Sequence, residues 1–355
     1  MSTKGRNMGI DMLRVICMMA MVIQHVLGHG WVMALIEEYS WKYELLRALR
    51  SSCLFGISCF ALISGYVGVR SRYKYSALLQ QWAKVWFYSV SFTWIISMLF
   101  PGQVSGADWN KAFFPTLQQQ YWYFTAYAGS FMLAPFIRIA VRKMNFKQAS
   151  FCTGMLVLVF SVLNTLQGGD PFFANCGKGT IWLVVLYAVG AYFGEFKPHE
   201  KVPMLVLWGF AACSLILLAG LQPVSVRMGW SYLSGEPRND SPVTLLTAVA
   251  MMLLFSRISV TRGQKLVSAL GATSFGVYLI HDHPLIRRYT ISTYSYPLAG
   301  LDTLLAVPGV ILASAGIYMV CMLIDMLRQK LFDLLRVKQM FAALENKLVG
   351  NLWDD

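Results

Sequence analysis

The sequence predicts an all-α fold: a polytopic integral membrane bundle of about ten transmembrane helices with both termini in the cytoplasm. Three observations carry that expectation. Of 355 residues, 57% are hydrophobic and only 13% charged, where a soluble domain is about a quarter charged. Mean hydropathy is +0.53, and several apolar stretches reach the roughly 20 residues that a helix needs to cross a bilayer. The basic residues also alternate. With the N-terminus inside, inner loops hold more than twice as many Lys and Arg as outer loops, which is the positive-inside pattern, and an even number of spans agrees with it.

The apolar stretches lie near residues 10–30, 53–69, 82–100, 121–137, 149–166, 179–195, 203–221, 242–256, 267–283 and 302–327. The first follows Lys4 and Arg6 as a signal peptide would, but Asp11 and Arg14 interrupt it and no small-x-small cleavage site follows, so it reads as a retained span. The second ends at the basic run Arg70, Arg72, Lys74, and the third opens just before Lys84. The fourth begins on "YWYF" and, like the ninth, is diluted by polar and aromatic residues. The fifth follows Arg142, Lys143 and Lys147; the seventh follows Lys197 and Lys201. The eighth follows the longest outer loop, "QPVSVRMGWSYLSGEPRNDSP", which is a binding loop at most. The ninth runs into "HDH".

Two regions result: a membrane domain over 1–327 and a cytoplasmic tail over 328–355. In the tail, Leu331, Leu334, Leu335, Phe341, Leu344 and Leu348 recur at near-helical spacing among basic residues. That pattern fits an amphipathic helix lying on the inner leaflet, or equally one packed on the bundle. Composition also excludes classes. The net charge of +13 would point to nucleic acid in a soluble chain, but here it belongs to the loops, and no nucleic-acid partner is expected. The seven cysteines show no CxxC pairing, which argues against a disulfide framework or a zinc ribbon.

The first span carries the chemistry. His25 stands eleven positions after Arg14, which at 100° each brings them to nearly one helix face, about 16 Å apart along the axis. Asp11 falls on the same side, and His29 stands one turn beyond His25. A charge at the bilayer centre costs at least ~2.5 kcal/mol, so such a stripe should face a polar cavity or a partner. Arg14 paired with Asp11 and snorkelling at the inner interface is the plainer alternative. With span one running outward, His25 lies in its outer half. Tyr278, His281 and His283 then end span nine at that face, and Tyr121, Trp122 and Tyr123 open span four there. The three helices can converge on an outward-opening vestibule; an aromatic belt with exposed histidines is the plainer reading of Tyr121 and His283. On the inner side, Arg70, Arg72, Lys74 and Lys84 supply charges that a phosphate-bearing ligand needs.

Four stretches, in order, resemble the acyltransferase-3 family of bacterial integral membrane acyltransferases. They are Arg14-x10-His25, "CFALISGYVGVRSRYKY" at 59–75, "YWYF" at 121–124 and "SFGVYLIH" at 274–281. The resemblance spans nearly the whole chain. It implies a fold of about ten helices in the bacterial cytoplasmic membrane. It also implies O-acylation of an extracytoplasmic glycan or glycolipid with a cytoplasmic donor, usually acetyl-CoA as co-substrate, and no metal. It makes His25 the catalytic residue and Arg14 its companion. One departure stands out. The family's third span commonly opens with paired arginines thought to handle CoA, and Gln81 and Lys84 occupy those places here, which shifts weight to Arg70 and Arg72.

On this reading, CoA phosphates meet Arg14, Arg72 and Lys84 at the inner mouth, and the thioester arm extends toward His25. His25 then acts either as general base on a sugar hydroxyl or as the first acyl acceptor. Trp122, Tyr123, Tyr278 and His281 would line the acceptor side, and Trp230 or Tyr232 in the long outer loop could stack on a sugar. Two other classes remain. A transporter would use Asp, Arg and His as a proton relay, although no inverted repeat is visible. A metal site could form from His25 and His29, with a third ligand from His281 or His283.

Overall fold

The computed structural model describes residues 7–167, 169–229, 238–348 and 350. It is all helical, with no strand among the described residues. Thirteen helices are numbered here: α1 Met8–Gly28, α2 Trp41–Ser52, α3 Phe55–Gly68, α4 Tyr75–Leu99, α5 Gly106–Phe113, α6 Trp122–Lys143, α7 Phe146–Val157, α8 Thr180–Phe196, α9 Met204–Arg227, α10 Pro242–Arg257, α11 Gln264–His281, α12 Thr303–Leu334 and α13 Val337–Leu348. Each of the ten apolar stretches is a helix. Six segments are long and apolar enough to cross a membrane: Met8–Leu35, Trp41–Gly68, Trp122–Lys143, Phe146–Leu166, Met204–Arg227 and Thr303–Leu334.

α1 is the central helix. Asn7 caps it by accepting from the Ile10 N–H, and its Nδ2 donates to the Ser256 carbonyl, which ties the helix start to the end of α10. Leu13, Cys17, Val22, Val26 and Leu27 are buried around it, where α3, α10, α11 and α12 pack. The closest-packed pair is α3 with α8. A Cβ at Gly190 would strike the Leu62 carbonyl, and one at Gly194 the Tyr66 carbonyl. This small-xxx-small pair lets the two backbones touch, and without a hydrophobic drive between helices in lipid such contact is what holds them together.

Loops sort into two ends of the bundle. At one end Arg257 donates to the Val202 carbonyl, Arg70 pairs with Glu195, and Glu345 accepts from the Tyr75 N–H. At the other, Lys42 donates to the Ala299 and Leu301 carbonyls, Tyr289 stacks on Phe100, and the Asn239 N–H meets the Cys176 carbonyl.

The structure adds elements that hydropathy does not register. α2 is amphipathic and begins where Ser40 accepts from the Tyr43 N–H. α5 opens on a reciprocal Ser105–Asp108 capping box. Both caps were written in the sequence, but charged helices carry no apolar-run signal. α12 does not stop at residue 327 but continues to Leu334, and the chain turns at Arg336, whose φ is 53°. α13 packs on α4 rather than standing apart: Glu345 caps the start of α4, while Met340 and Leu348 stay exposed.

Candidate active site

His25 stands in the last turn of α1. Its Nδ1 lies 3.0 Å from Nε2 of His281, the last residue of α11. Nδ1 of His281 is 2.6 Å from the Val277 carbonyl. A carbonyl only accepts, so His281 Nδ1 carries the proton and its Nε2 is an acceptor. The bond from His25 must then be donated by Nδ1–H, which leaves the Nε2 lone pair of His25 unengaged. The buried carboxylate of Asp282 sits 3.4 Å from the same Nδ1. It is placed to stabilise the ring once a proton arrives on Nε2. Beyond His25, toward the exposed end of α1, the His29 ring is 4.9 Å away. Arg287 Nη1 reaches both His29 Nε2 at 3.0 Å and Asp282 Oδ1 at 3.3 Å.

A second feature lies toward the start of α1. A cavity of about 270 Å³ is lined by Arg14, Gln81, Lys84, Tyr123, Tyr127 and Ser274, among others. Arg14 is anchored by Asp11, fully buried, at 2.6 Å. Lys84 Nζ donates to Gln81 Oε1 at 3.1 Å. Two cations and an amide thus face one space. That set suits phosphate oxygens, so the residues present fit the anionic part of an acyl-CoA.

Tyr123 joins the two features. It lines the cavity, and its ring is 6.2 Å from that of Tyr278, which in turn is 6.5 Å from His281. Both tyrosines are buried; the Tyr123 hydroxyl has no hydrogen-bond partner among the described residues, and the Tyr278 hydroxyl lies within reach of the Asp282 carboxylate. They stand between the cavity and the histidines rather than at an outer rim. Trp122 is half-buried against the Tyr123 ring at 5.6 Å.

Other candidates go elsewhere. Arg70 is exposed and held by Glu195 at 3.1 Å. Arg72 lines a separate cavity of about 400 Å³ with Lys74 and Lys338. His283 Nδ1 accepts from the Leu285 N–H and its Nε2 faces the Ser89 carbonyl at 3.2 Å, so it ties α4 to the chain after α11. The Tyr121 hydroxyl donates to the Leu279 carbonyl at 3.0 Å and is likewise a packing link. Trp230 and Tyr232 lie outside the described residues. The geometry of a metal reading changes: the group that joins His25 and His29 is Asp282, not a third histidine, with ligand atoms within 4.8 Å. Arg287 already occupies its cationic side.

Sequence reasoning missed Asp282 and Arg287. The first was visible in "HDH", where the flanking histidines drew attention. It also missed the buried Asp325, which takes Tyr88 Oη at 2.8 Å and the Arg328 guanidinium at 2.8 Å beneath Lys84. Gly276 makes room for that carboxylate, since a Cβ there would collide with it.

The family model for the acyltransferase domain matches residues 7–326. The chain belongs to the acyltransferase-3 family. No curated protein and no solved structure matches it. As an acyltransferase-3 member it is an enzyme that transfers acyl groups, built as a multi-pass membrane protein in contact with the bilayer. The matched span takes in every residue of the His25 relay and of the Arg14 cavity.

Proposed function

We propose that this acyltransferase moves an acetyl group from cytoplasmic acetyl-CoA to a hydroxyl of an extracytoplasmic glycan or glycolipid. The proposal sets the enzyme in a bacterial cytoplasmic membrane, with ten crossings and both termini inside. The observation that carries it is the Val277–His281–His25 relay, which leaves Nε2 of His25 unengaged and sets a buried carboxylate beside its Nδ1. Loop charge supports the orientation. Arg14 and Lys84 bind the donor phosphates, with the Gln81 amide beside them where a third cation could stand. Arg72, outside that cavity, and Arg70, already paired, contribute no direct contact.

In the reaction, His25 Nε2 takes the proton of the acceptor hydroxyl as its oxygen attacks the thioester carbonyl. The C–S bond then breaks, CoA leaves as thiolate, and the proton passes from His25 to it. Asp282 favours this base route because it steadies the imidazolium that the route creates. Tyr123, with its unengaged hydroxyl, and Tyr278 beyond it line the path of the thioester arm from the cavity.

The test uses purified protein in proteoliposomes supplied with acetyl-CoA, reading the slow release of free CoA as water takes the acetyl group in place of the acceptor hydroxyl. His25→Ala is expected to abolish release. Release that survives this change, with flux of a glycan or solute instead, replaces the enzyme reading of His25 with a transport role.

A further inference from the structure

The cavity between α4 and α13 is built on the helix that carries Lys84. It has a volume of about 400 Å³ and is lined by Lys74, Ala77 and Gln80 at the start of α4 and by Lys338, Glu345 and Asn346 of α13, among others. Ala77, Gln81 and Lys84 recur at i, i+4 and i+7, which places them on one face of the helix. At 1.5 Å per residue, Ala77 stands about 10 Å before Lys84 along the axis. Gln81 and Lys84 line the Arg14 cavity, so the two cavities lie against the same side of α4, one after the other. α13 forms the far wall because Glu345 accepts from the Tyr75 N–H at 2.6 Å. That bond turns the Glu345 carboxylate toward the start of α4, where the unpaired N–H groups are positive. Lys74 and Lys338 are exposed, and neither has an ion-pair partner among the described residues. Arg72 lines the cavity as well, but it already has a partner.

The donor is too large for the first cavity. At about 270 Å³ that cavity falls below the roughly 300–1,000 Å³ that enclose drug-sized ligands, and acetyl-CoA is larger than those. With the thioester arm directed past Tyr123 toward His25, the pyrophosphate next to that arm meets Arg14 and Lys84. The adenosine then leaves at the opposite end, toward Ala77 and Gln80. It carries a phosphate monoester on its 3′-oxygen, and such a group holds a charge of about −1.5 to −2 near pH 7. Two ammonium groups without carboxylate partners match it.

We infer that the cavity between α4 and α13 binds the 3′-phosphate of the acyl-CoA donor, held by Lys74 and Lys338. This rests on the functional reading above and specifies how the same donor is recognised. Lys338 lies beyond the residues that the family model matches, so the contact belongs to this chain. The phosphate of an anionic lipid in the inner leaflet has the same chemistry, and the two sources separate by experiment.

Protein in nanodiscs of zwitterionic lipid is titrated calorimetrically with CoA and with 3′-dephospho-CoA. CoA is expected to bind about tenfold more tightly, the scale of charge-assisted contacts to a phosphate. Lys338→Gln and Lys74→Gln should each lower that ratio, and the double variant should abolish it by weakening CoA alone. Unchanged binding of 3′-dephospho-CoA shows that the variants are folded. Equal binding of the two nucleotides by the unaltered protein, or a preference indifferent to both lysines, overturns the inference. Lysine variants that shift Tm only in nanodiscs with phosphatidylglycerol, and leave the CoA ratio intact in zwitterionic ones, assign the cavity to a lipid headgroup and overturn it too. Acetyl-CoA-dependent CoA release is read on the same samples. A 3′-phosphate preference without release sinks the functional reading and leaves the nucleotide site; release without the preference sinks only the inference.

Discussion

At the level of single residues, the relay shows how one carboxylate decides what a histidine can do. His25 donates through Nδ1 toward His281 and Asp282, so any proton it gains must arrive on Nε2. Asp282→Asn keeps the shape but removes the charge that steadies the imidazolium. Its kcat in CoA release is expected to fall by about 10²-fold with little change in the KM for acetyl-CoA, within the range that general acid–base groups contribute. A change confined to KM would show that Asp282 serves binding instead. The sequence put His25 and Arg14 on one face because helical periodicity is local. It was silent on Asp282 and Arg287 because their meaning depends on which ring faces them across a helix boundary. The same limit applies to Tyr123 and Tyr278: the motifs mark them, but only packing sets them between the two halves of the site.

Helices impose their own requirements. The α3–α8 contact depends on a missing side chain, since Gly190 lies against the Leu62 carbonyl. Overpacking a core costs ~1–3 kcal/mol, and a backbone carbonyl cannot yield as a side chain can. Gly190→Leu is therefore expected to cost at least about 3 kcal/mol, read as loss of the monodisperse peak or a lowered Tm in detergent; an unchanged Tm would disprove the close approach. The turn Pro198–Lys201 between α8 and α9 holds His199, whose Nε2 is 3.1 Å from Ser256 Oγ. Burial holds its pKa below the usual 6.5, with Arg257 and Lys197 adding to the effect and Glu200 opposing it. The folded protein thus binds fewer protons here than the unfolded chain. The stability this residue contributes is intact above the unfolded pKa and is lost as pH falls through the folded one. Tm should drop as pH falls below the usual histidine range of about 6.5, and His199→Gln should flatten that drop. A profile identical in the variant would assign the acid sensitivity elsewhere. Hydropathy marked ten stretches that are helical, six of the resulting segments being long and apolar enough to cross a membrane, but it did not mark α2 or α5, whose charged faces hide them from any apolar-run criterion.

For the whole molecule, the sorting of loops into two ends predicts a membrane orientation. A reporter fused after Gly102 should be active outside the cell, and one fused after the end of α13 should be active inside; the reverse, or both on one side, would undo the proposed ten crossings. The sequence by itself determined that this is an all-helical membrane protein. It also determined the family, and that Arg14 and His25 share a helix face, because composition, hydrophobic runs and helical spacing are written in neighbouring residues. Only the tertiary structure decided which residues work together. Arg14 and Lys84 share a cavity while Arg70 and Arg72 stand apart, and His25 meets His281 and Asp282 across 256 and 257 positions of chain. The reason is physical: tautomer, ion pairing and cavity shape follow from which helices touch, and that is settled by side-chain and backbone fit between segments far apart in sequence.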